Sequence, residues 1–206
     1  MAFATATDIG YALIALWAPP SAKPLLRWWS RHRYFALAPT YDAYVAKCAT
    51  TYGAALDAAL DFLTQTPHRV LDVSTGTGYA ADVVARRYPD ASVVACDLSL
   101  AMAQHAQRRL RPGSVICADS ATLPFADETF DLVVLQNAPP SLKELARLVA
   151  LQGSLLLAFS AGAGVPVWIR SRLDHRLGGL GFGTRIWNRV GAGLFVIASR
   201  GSGEAR

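Results

Sequence analysis

Three carboxylates stand at the ends of short apolar runs, where they could receive hydrogen bonds from the hydroxyl or amino groups of a ligand. Asp72 lies in Val70-Leu71-Asp72-Val73, directly before the turn Ser74-Thr75-Gly76-Thr77-Gly78. Asp97 closes a run that starts at Ser92, and Asp119 closes a run that starts at Ser114. A fourth run, residues 130–135, ends on the side-chain amides of Gln136 and Asn137. Gly76 and Gly78 can take backbone angles that strain any residue with a Cβ, and they let a ligand approach the main chain closely. An apolar strand that runs into a glycine-rich turn and then an alanine-rich helix begins a βαβ unit of the kind that holds an adenosine-containing ligand.

These side chains act together only if regular elements bring them to one edge. The spacing predicts strands over residues 68–73, 92–96, 114–118, 131–136 and 154–159, alternating with helices over 79–87, 99–110 and 141–150. Such alternation argues for an α/β fold with a Rossmann-like, doubly wound, mainly parallel sheet. Its ligand crevice lies at the carboxyl ends of the strands. A further helix is expected over 167–177, ended by the glycines between 178 and 183. Residues 185–188 and 194–198 are expected to close the sheet as a pair.

Two ligand classes compete at the glycine turn. Read as Gly-x-Gly-x-x-Ala, residues 76–81 suit a dinucleotide, whose pyrophosphate takes the amides of a helix N-terminus. The other class is S-adenosyl-L-methionine (SAM), which has no phosphate. Asp72 favours SAM: its carboxylate would repel a pyrophosphate, but could orient the loop or face a cationic amino acid group. Asp97 suits both ligands, since each presents ribose hydroxyls at the second strand. It could instead cap the following helix, although Ser99 is better placed for that. Asp119 could accept a hydrogen bond from an adenine amino group, with an apolar side chain of Leu123-Pro124-Phe125 folded onto the purine face.

In LDVSTGTG, ACDLS and ADSATLPFADETFDLVV, in that order, the chain resembles the class I SAM-dependent methyltransferases. The likeness is strongest to the small-molecule branch of ubiquinone/menaquinone-type enzymes (methyltransferase type 11 domain). It runs from residue 70 to about residue 159 and reaches the C-terminus only loosely. It implies a seven-stranded sheet with an antiparallel last strand and SAM as the cofactor. Around the glycine turn it implies cofactor contacts from Tyr41, Asp72, Ser74, Gly76 and Gly78. Along the later strand ends it implies contacts from Asp97, Leu98, Asp119, Ser120 and Gln136. Ser74-Thr75 stand where the family commonly has Gly-Cys or Gly-Ser, so Ser74 needs a negative φ or a strained turn. Gln136-Asn137-Ala138 stand where many relatives carry paired histidines, so no acceptor is carried over from those relatives. Asn137-Ala-Pro-Pro-Ser lacks the aromatic residue with which nucleic-acid amino methyltransferases stack a flipped base.

The methyltransferase domain is expected over residues 67–200, after a helical N-terminal extension or lid over 1–66 and before a flexible tail over 201–206. Residues 9–20 are apolar and about three helical turns long, and residues 25–35 mix Trp28, Trp29 and Tyr34 with arginines. That mix suits a lid over the site, a membrane interface, or a homodimer contact. The first two are compatible if the substrate is lipid-like. Tyr41 matches a tyrosine that crosses the cofactor site in relatives, while Thr40 reads as the N-cap of a helix that starts there. Methyl transfer from a sulfonium depends mainly on alignment, worth up to roughly 7–11 kcal/mol when reactants are well oriented. A base is needed only when the acceptor keeps its proton. His32 is the leading base candidate and Tyr41 the second catalytic candidate. His68, at the start of the first strand, and mid-helix His105 read as structural or solvated.

At 206 residues, 52% hydrophobic and 17% charged, the chain suits one α/β domain with an N-terminal extension. Its net charge of +5 comes without a long Lys/Arg tract, so no nucleic-acid partner is expected. Cys48, Cys96 and Cys117 form no Cys-x-x-Cys pair, and no metal site is expected. Cys96 and Cys117 read as small buried hydrophobes. The odd count and the lack of a secretory signal point to a reducing cytoplasm. No apolar run approaches ~20 residues, so no membrane-spanning helix is expected. The chain is thus expected to methylate a small or lipid-like hydrophobic acceptor, in the cytoplasm, with peripheral membrane contact through its N-terminal region left open. The alternatives are a noncatalytic scaffold that binds SAM or S-adenosylhomocysteine, and an NAD-dependent oxidoreductase. Against the last stand the missing Tyr-x-x-x-Lys pattern and the placement of Asp72 and Asp119.

Overall fold

The computed structural model describes residues 18–111 and 114–201. Five strands run parallel: β1 (Arg69–Val73), β2 (Ser92–Asp97), β3 (Val115–Cys117), β4 (Phe130–Gln136) and β5 (Val149–Phe159). β6 (Phe182–Val190) and β7 (Gly193–Arg200) form a hairpin, and β7 pairs antiparallel with β5. The sheet order is β3-β2-β1-β4-β5-β7-β6, the seven-stranded α/β arrangement expected from the sequence. Helices α1 (Lys23–Lys47), α2 (Ala49–Tyr52) and α3 (Ala54–Leu60) precede the sheet. Between its strands come α4 (Tyr79–Arg87), α5 (Leu100–Arg109), α6 (Leu142–Leu148) and α7 (Val167–Gly179).

The central strands are apolar on both faces because both faces are covered. Leu71, Val73, Val133, Leu135, Leu155 and Leu157 pack with Leu142 and Leu145 of α6 and Leu173 and Leu177 of α7. Val70, Leu132, Val134, Leu156 and Phe195 form the opposite core, with Leu56 and Leu60 of α3 and Val84 of α4. Each such buried side chain contributes about 1.5–3 kcal/mol. α3 therefore shares its core with the sheet, although it lies within the first 66 residues. At the far end from the glycine turn, Asp131 accepts hydrogen bonds from the His68 and Arg69 amides, which fixes the start of β1 against β4.

Four local features differ from the sequence expectation. α6 ends at Leu148, and β5 begins at Val149 rather than at residue 154. Val149 pairs with Phe130, and the ladder resumes at Ser154 with Leu132 after an irregularity at Gln152, whose φ is 62°. Ladder pairing at that edge wins over the apolar run's fit to a helix. Thr40 is no N-cap: it sits inside the 25-residue α1, as does Pro39, and its hydroxyl donates to the Leu37 carbonyl at 3.3 Å. Cys96 is buried, but Cys117 is exposed because β3 is a three-residue edge strand. Leu123 goes into the core and Phe125 packs edge-on against Phe130, with ring centroids 5.0 Å apart, so neither lies over the crevice. Most of the apolar segment at residues 9–20, and the tail beyond residue 201, lie outside the described residues.

Gly78 is the tightest joint in this frame. Its φ is +87°, and a Cβ there would meet the Ala106 Cα at 3.1 Å. A left-handed backbone costs a residue with a side chain roughly 1–2 kcal/mol, and overpacking adds about 1–3 more. Gly78→Ala should therefore lower unfolding free energy by roughly 2–5 kcal/mol, read as a drop in the urea midpoint with an unchanged m value.

Candidate functional site

The carboxyl ends of β1, β2 and β4 open on one cavity, which the glycine turn and the loop after β3 complete. The turn is irregular: Ser74, Gly76 and Gly78 have φ values of 58°, 57° and 87°. Ser74 thus takes the strained turn rather than a negative φ.

Two carboxylates hold the turn in this shape. Oδ2 of Asp72 accepts from the Thr75 hydroxyl at 2.6 Å and from the Ala81 amide at 2.9 Å. Oδ2 of Asp97 accepts from the Gly76 amide at 2.9 Å, and its Oδ1 accepts from the Ser99 amide at 2.8 Å. The Thr75 amide donates to the Cys96 carbonyl at 2.9 Å, which joins the turn to β2. Ser99, not Asp97, caps α5: its hydroxyl accepts from the Met102 amide. Oδ1 of Asp72 is buried without a hydrogen-bond partner among the described residues.

Burial dominates the electrostatics of both acids. It pushes the Asp72 carboxyl up to about 7, against the hydrogen bonds from Thr75 and Ala81 and with a small push from Asp97. It pushes Asp97 up to about 6, against the Ser99 and Gly76 amides.

Asp119 sits at the other end of the cavity. Its Oδ1 accepts from the Ala121 amide at 2.9 Å, and its Oδ2 pairs with Arg27 of α1 at 3.0 Å. Leu98 and Ser120 line the wall beside it. At the end of β4, Gln136 donates to the Tyr52 carbonyl at 2.7 Å, while its own Oε1 is buried without a partner among the described residues. Asn137, with φ of 55°, donates to the Ser160 hydroxyl and accepts from the Ser160 amide, both at 2.8 Å. The Ser160 hydroxyl in turn donates to the Tyr52 carbonyl at 2.6 Å.

α1 roofs the cavity. Arg27, Ser30, Tyr34 and Tyr41 lie on one side of this helix and face inward. Tyr41 comes within 3.8 Å of where a Gly76 Cβ would stand, and its hydroxyl lies 3.2 Å from that of Tyr52. Arg27–Asp119 ties the roof at one end and Arg109–Asp42, at 3.0 Å, ties it at the other. The enclosed space is about 90 Å³. It continues past Arg27, Asp119, Ser120 and Pro139 into a wider opening of about 650 Å³.

Most of the residues expected from the sequence converge here. Tyr41, Asp72, Ser74, Gly76, Asp97, Leu98, Asp119, Ser120 and Gln136 all line the cavity. Gly78 lies behind the turn, packed on Ala106. His32 does not reach the cavity: it projects from the outer side of α1, with Nδ1 2.8 Å from the Trp28 carbonyl and its ring 4.4 Å from the Trp28 ring. Tyr52, Tyr79, Ser160 and Arg27 had no local sequence signal, because their partners are far away in the chain. No group of three or more His, Cys, Asp or Glu residues able to hold a metal occurs among the described residues.

Residues 70–153 match the family model described as "Methyltransferase domain". The chain is 41% identical over 102 residues to the malonyl-[acyl-carrier protein] O-methyltransferase of Halorhodospira halophila, a match that covers 45% of this chain and 35% of that protein. It is 32% identical over 98 residues to the demethylmenaquinone methyltransferase of Thermotoga maritima, covering 44% of this chain and 43% of that one. The chain thus spans well under half the length of these curated relatives. A protein of Methanococcus maripaludis assigned as a SAM-dependent methyltransferase has the same fold, with a TM-score of 0.68 and 16% identity, covering 82% of this chain and 94% of that chain.

The two raised carboxyls make stability depend on pH. The folded chain holds their protons more tightly than the unfolded chain, whose carboxyls titrate at the ordinary 3.8. Their contribution is therefore fully present below about pH 4 and is lost as pH rises through about 6 and 7. Asp72→Asn keeps an oxygen for Thr75 and Ala81 but carries no charge. Its stability relative to wild type should be greater at pH 8 than at pH 5, by roughly 1–4 kcal/mol in urea unfolding. An equal difference at the two pH values would show that Asp72 is not a buried, strained acid.

Proposed function

We propose that this chain, whose residues 70–153 form a class I SAM-dependent methyltransferase domain, transfers a methyl group to a small or lipid-like hydrophobic acceptor. The observation that carries this reading is the meeting in one cavity of three carboxylates, with two buried oxygens, Asp72 Oδ1 and Gln136 Oε1, that have no hydrogen-bond partner among the described residues. Such a lining of acceptors suits a ligand with hydroxyls, an amino group and positive charge, and it repels a pyrophosphate.

The residues present fit SAM, which supplies an activated sulfonium methyl when bound. Asp97 would hold the ribose hydroxyls, and Asp119 the adenine amino group, with Leu98 and Ser120 beside the ring. Asp72 Oδ1 and Gln136 Oε1 would receive the ammonium of the amino acid part. Ser74 and Gly76 bring the main chain close, since no Cβ projects from Gly76. Tyr41 and Tyr52 hold a hydroxyl pair at the roof, where Tyr41 could orient an acceptor. Tyr34, Tyr79, Ala138 and Pro139 add an aromatic and apolar lining, which supports a hydrophobic acceptor. The chemistry asked of these groups is alignment and exclusion of water. α1 serves as the lid in this reading.

In calorimetric titration, Asp97→Ala should weaken SAM and S-adenosylhomocysteine binding by about 1–3 kcal/mol, the scale for losing hydrogen bonds to a charged group. NADH should not bind. Binding of SAM without label transfer from methyl-labelled SAM to any quinone, phenol or lipid would favour the noncatalytic scaffold.

Arg27 now occupies the face of Asp119 that adenine would need. The pair is partly exposed, with side-chain exposures of 44% and 27%, so it is worth at most about 1 kcal/mol. Arg27→Gln should therefore tighten SAM by up to about fivefold in the same titration, whereas a loss of affinity would make Arg27 a ligand rather than a competitor.

A further inference from the structure

α1 carries two unlike faces. With 3.6 residues per turn, Arg27, Ser30, Tyr34 and Tyr41 fall on the side that lines the cavity. Leu25, Trp28, Trp29, His32 and Phe35 fall on the opposite side. Relative exposure there is 67% for Leu25, 58% for Trp28 and 62% for Phe35. The tryptophans therefore do not cover the site; they point away from it. Arg31 flanks this stripe on one side and Arg33 on the other, with the Arg33 guanidinium 5.1 Å from the centroid of the Trp29 ring. From Lys23 to Tyr41 the sequence has four Lys/Arg residues and no Asp or Glu.

We propose that this outer face of α1 is a docking surface for an anionic lipid bilayer. Apolar and aromatic side chains in a row enter the headgroup boundary, while arginines at their margins meet lipid phosphates. The charge pattern decides between a membrane and a second copy of this chain. Two copies joined through this face would bring Arg31 and Arg33 against their own equivalents within a stretch, Lys23 to Tyr41, whose sequence contains no Asp or Glu, which is unfavourable. An anionic surface turns the same charges into attraction, worth about 1 kcal/mol per basic residue. No helix among the described residues is long and apolar enough to cross a membrane, so the contact is peripheral. The stripe lies on the side of α1 away from the cavity, so this proposal and the methyltransfer reading stand or fall separately.

The test is flotation of the full chain with two vesicle types: phosphatidylcholine alone, and phosphatidylcholine mixed with phosphatidylglycerol. The expected result is flotation with the anionic vesicles at low salt, loss at high salt, and none with neutral vesicles. Trp28→Ser/Phe35→Ser should abolish flotation while leaving SAM affinity and the circular dichroism spectrum unchanged. Arg31→Gln should weaken vesicle binding about fivefold, the equivalent of about 1 kcal/mol. No flotation at low salt, or flotation indifferent to the stripe variants, overturns the proposal. So does a dimer in solution that the double variant dissociates, or binding to an acidic polypeptide in place of vesicles.

Discussion

The clamp of Asp72 and Asp97 on the glycine turn is the interaction on which the rest of the site depends. Three of the five residues from Ser74 to Gly78 are left-handed, and Ser74 bears a side chain there. Such a turn does not hold itself, because left-handed backbone is unfavourable outside glycine. Thr75, Ala81, Gly76 and Ser99 all donate to the two acids, which fixes the turn between β1 and β2. The clamp is costly, since burial raises both acids well above the ordinary carboxylate range. That cost is what a ligand with cationic and hydroxyl groups would offset, so the electrostatic strain and the proposed cofactor site are one feature.

A second polar network sets the other wall. The Tyr52 carbonyl receives both Gln136 and Ser160, and Ser160 is bracketed by the side chain of Asn137. The network joins α2 to the ends of β4 and β5 through groups that are almost fully buried. Buried polar networks rigidify the groups whose hydrogen bonds they satisfy. It leaves one atom over, Gln136 Oε1, beside the cavity. The left-handed Asn137 is held by the same bonds, which accounts for strain at a residue that carries a side chain.

α1 links the cavity to the outside. One side of it reaches Asp119 and Gly76, and the other carries Trp28 and Phe35 into solvent. Pro39 in its interior removes an amide from the helical ladder, which ordinarily breaks a helix. Here the helix continues, tied on both sides of the proline by Arg27–Asp119 and Arg109–Asp42.

The amino-acid sequence by itself determined the sheet, its parallel core and the acids at its edge. Apolar runs of strand length ending at Asp97, Asp119 and Gln136 alternate with helical spacing, and strands buried on both faces leave that signature in one dimension. The turn glycines were legible for the same local reason. What only the tertiary structure decided are the pairings across long separations: Arg27 with Asp119, Gln136 and Ser160 with Tyr52, Tyr41 with Tyr52 and with Gly76. It also decided which side of α1 faces the cavity, and hence that His32 and Trp28 turn outward. It placed the start of β5 at Val149, where an apolar run fits helix and strand equally well and only pairing with Phe130 distinguishes them. Local periodicity records which residues are buried, but not which distant residue they are buried against.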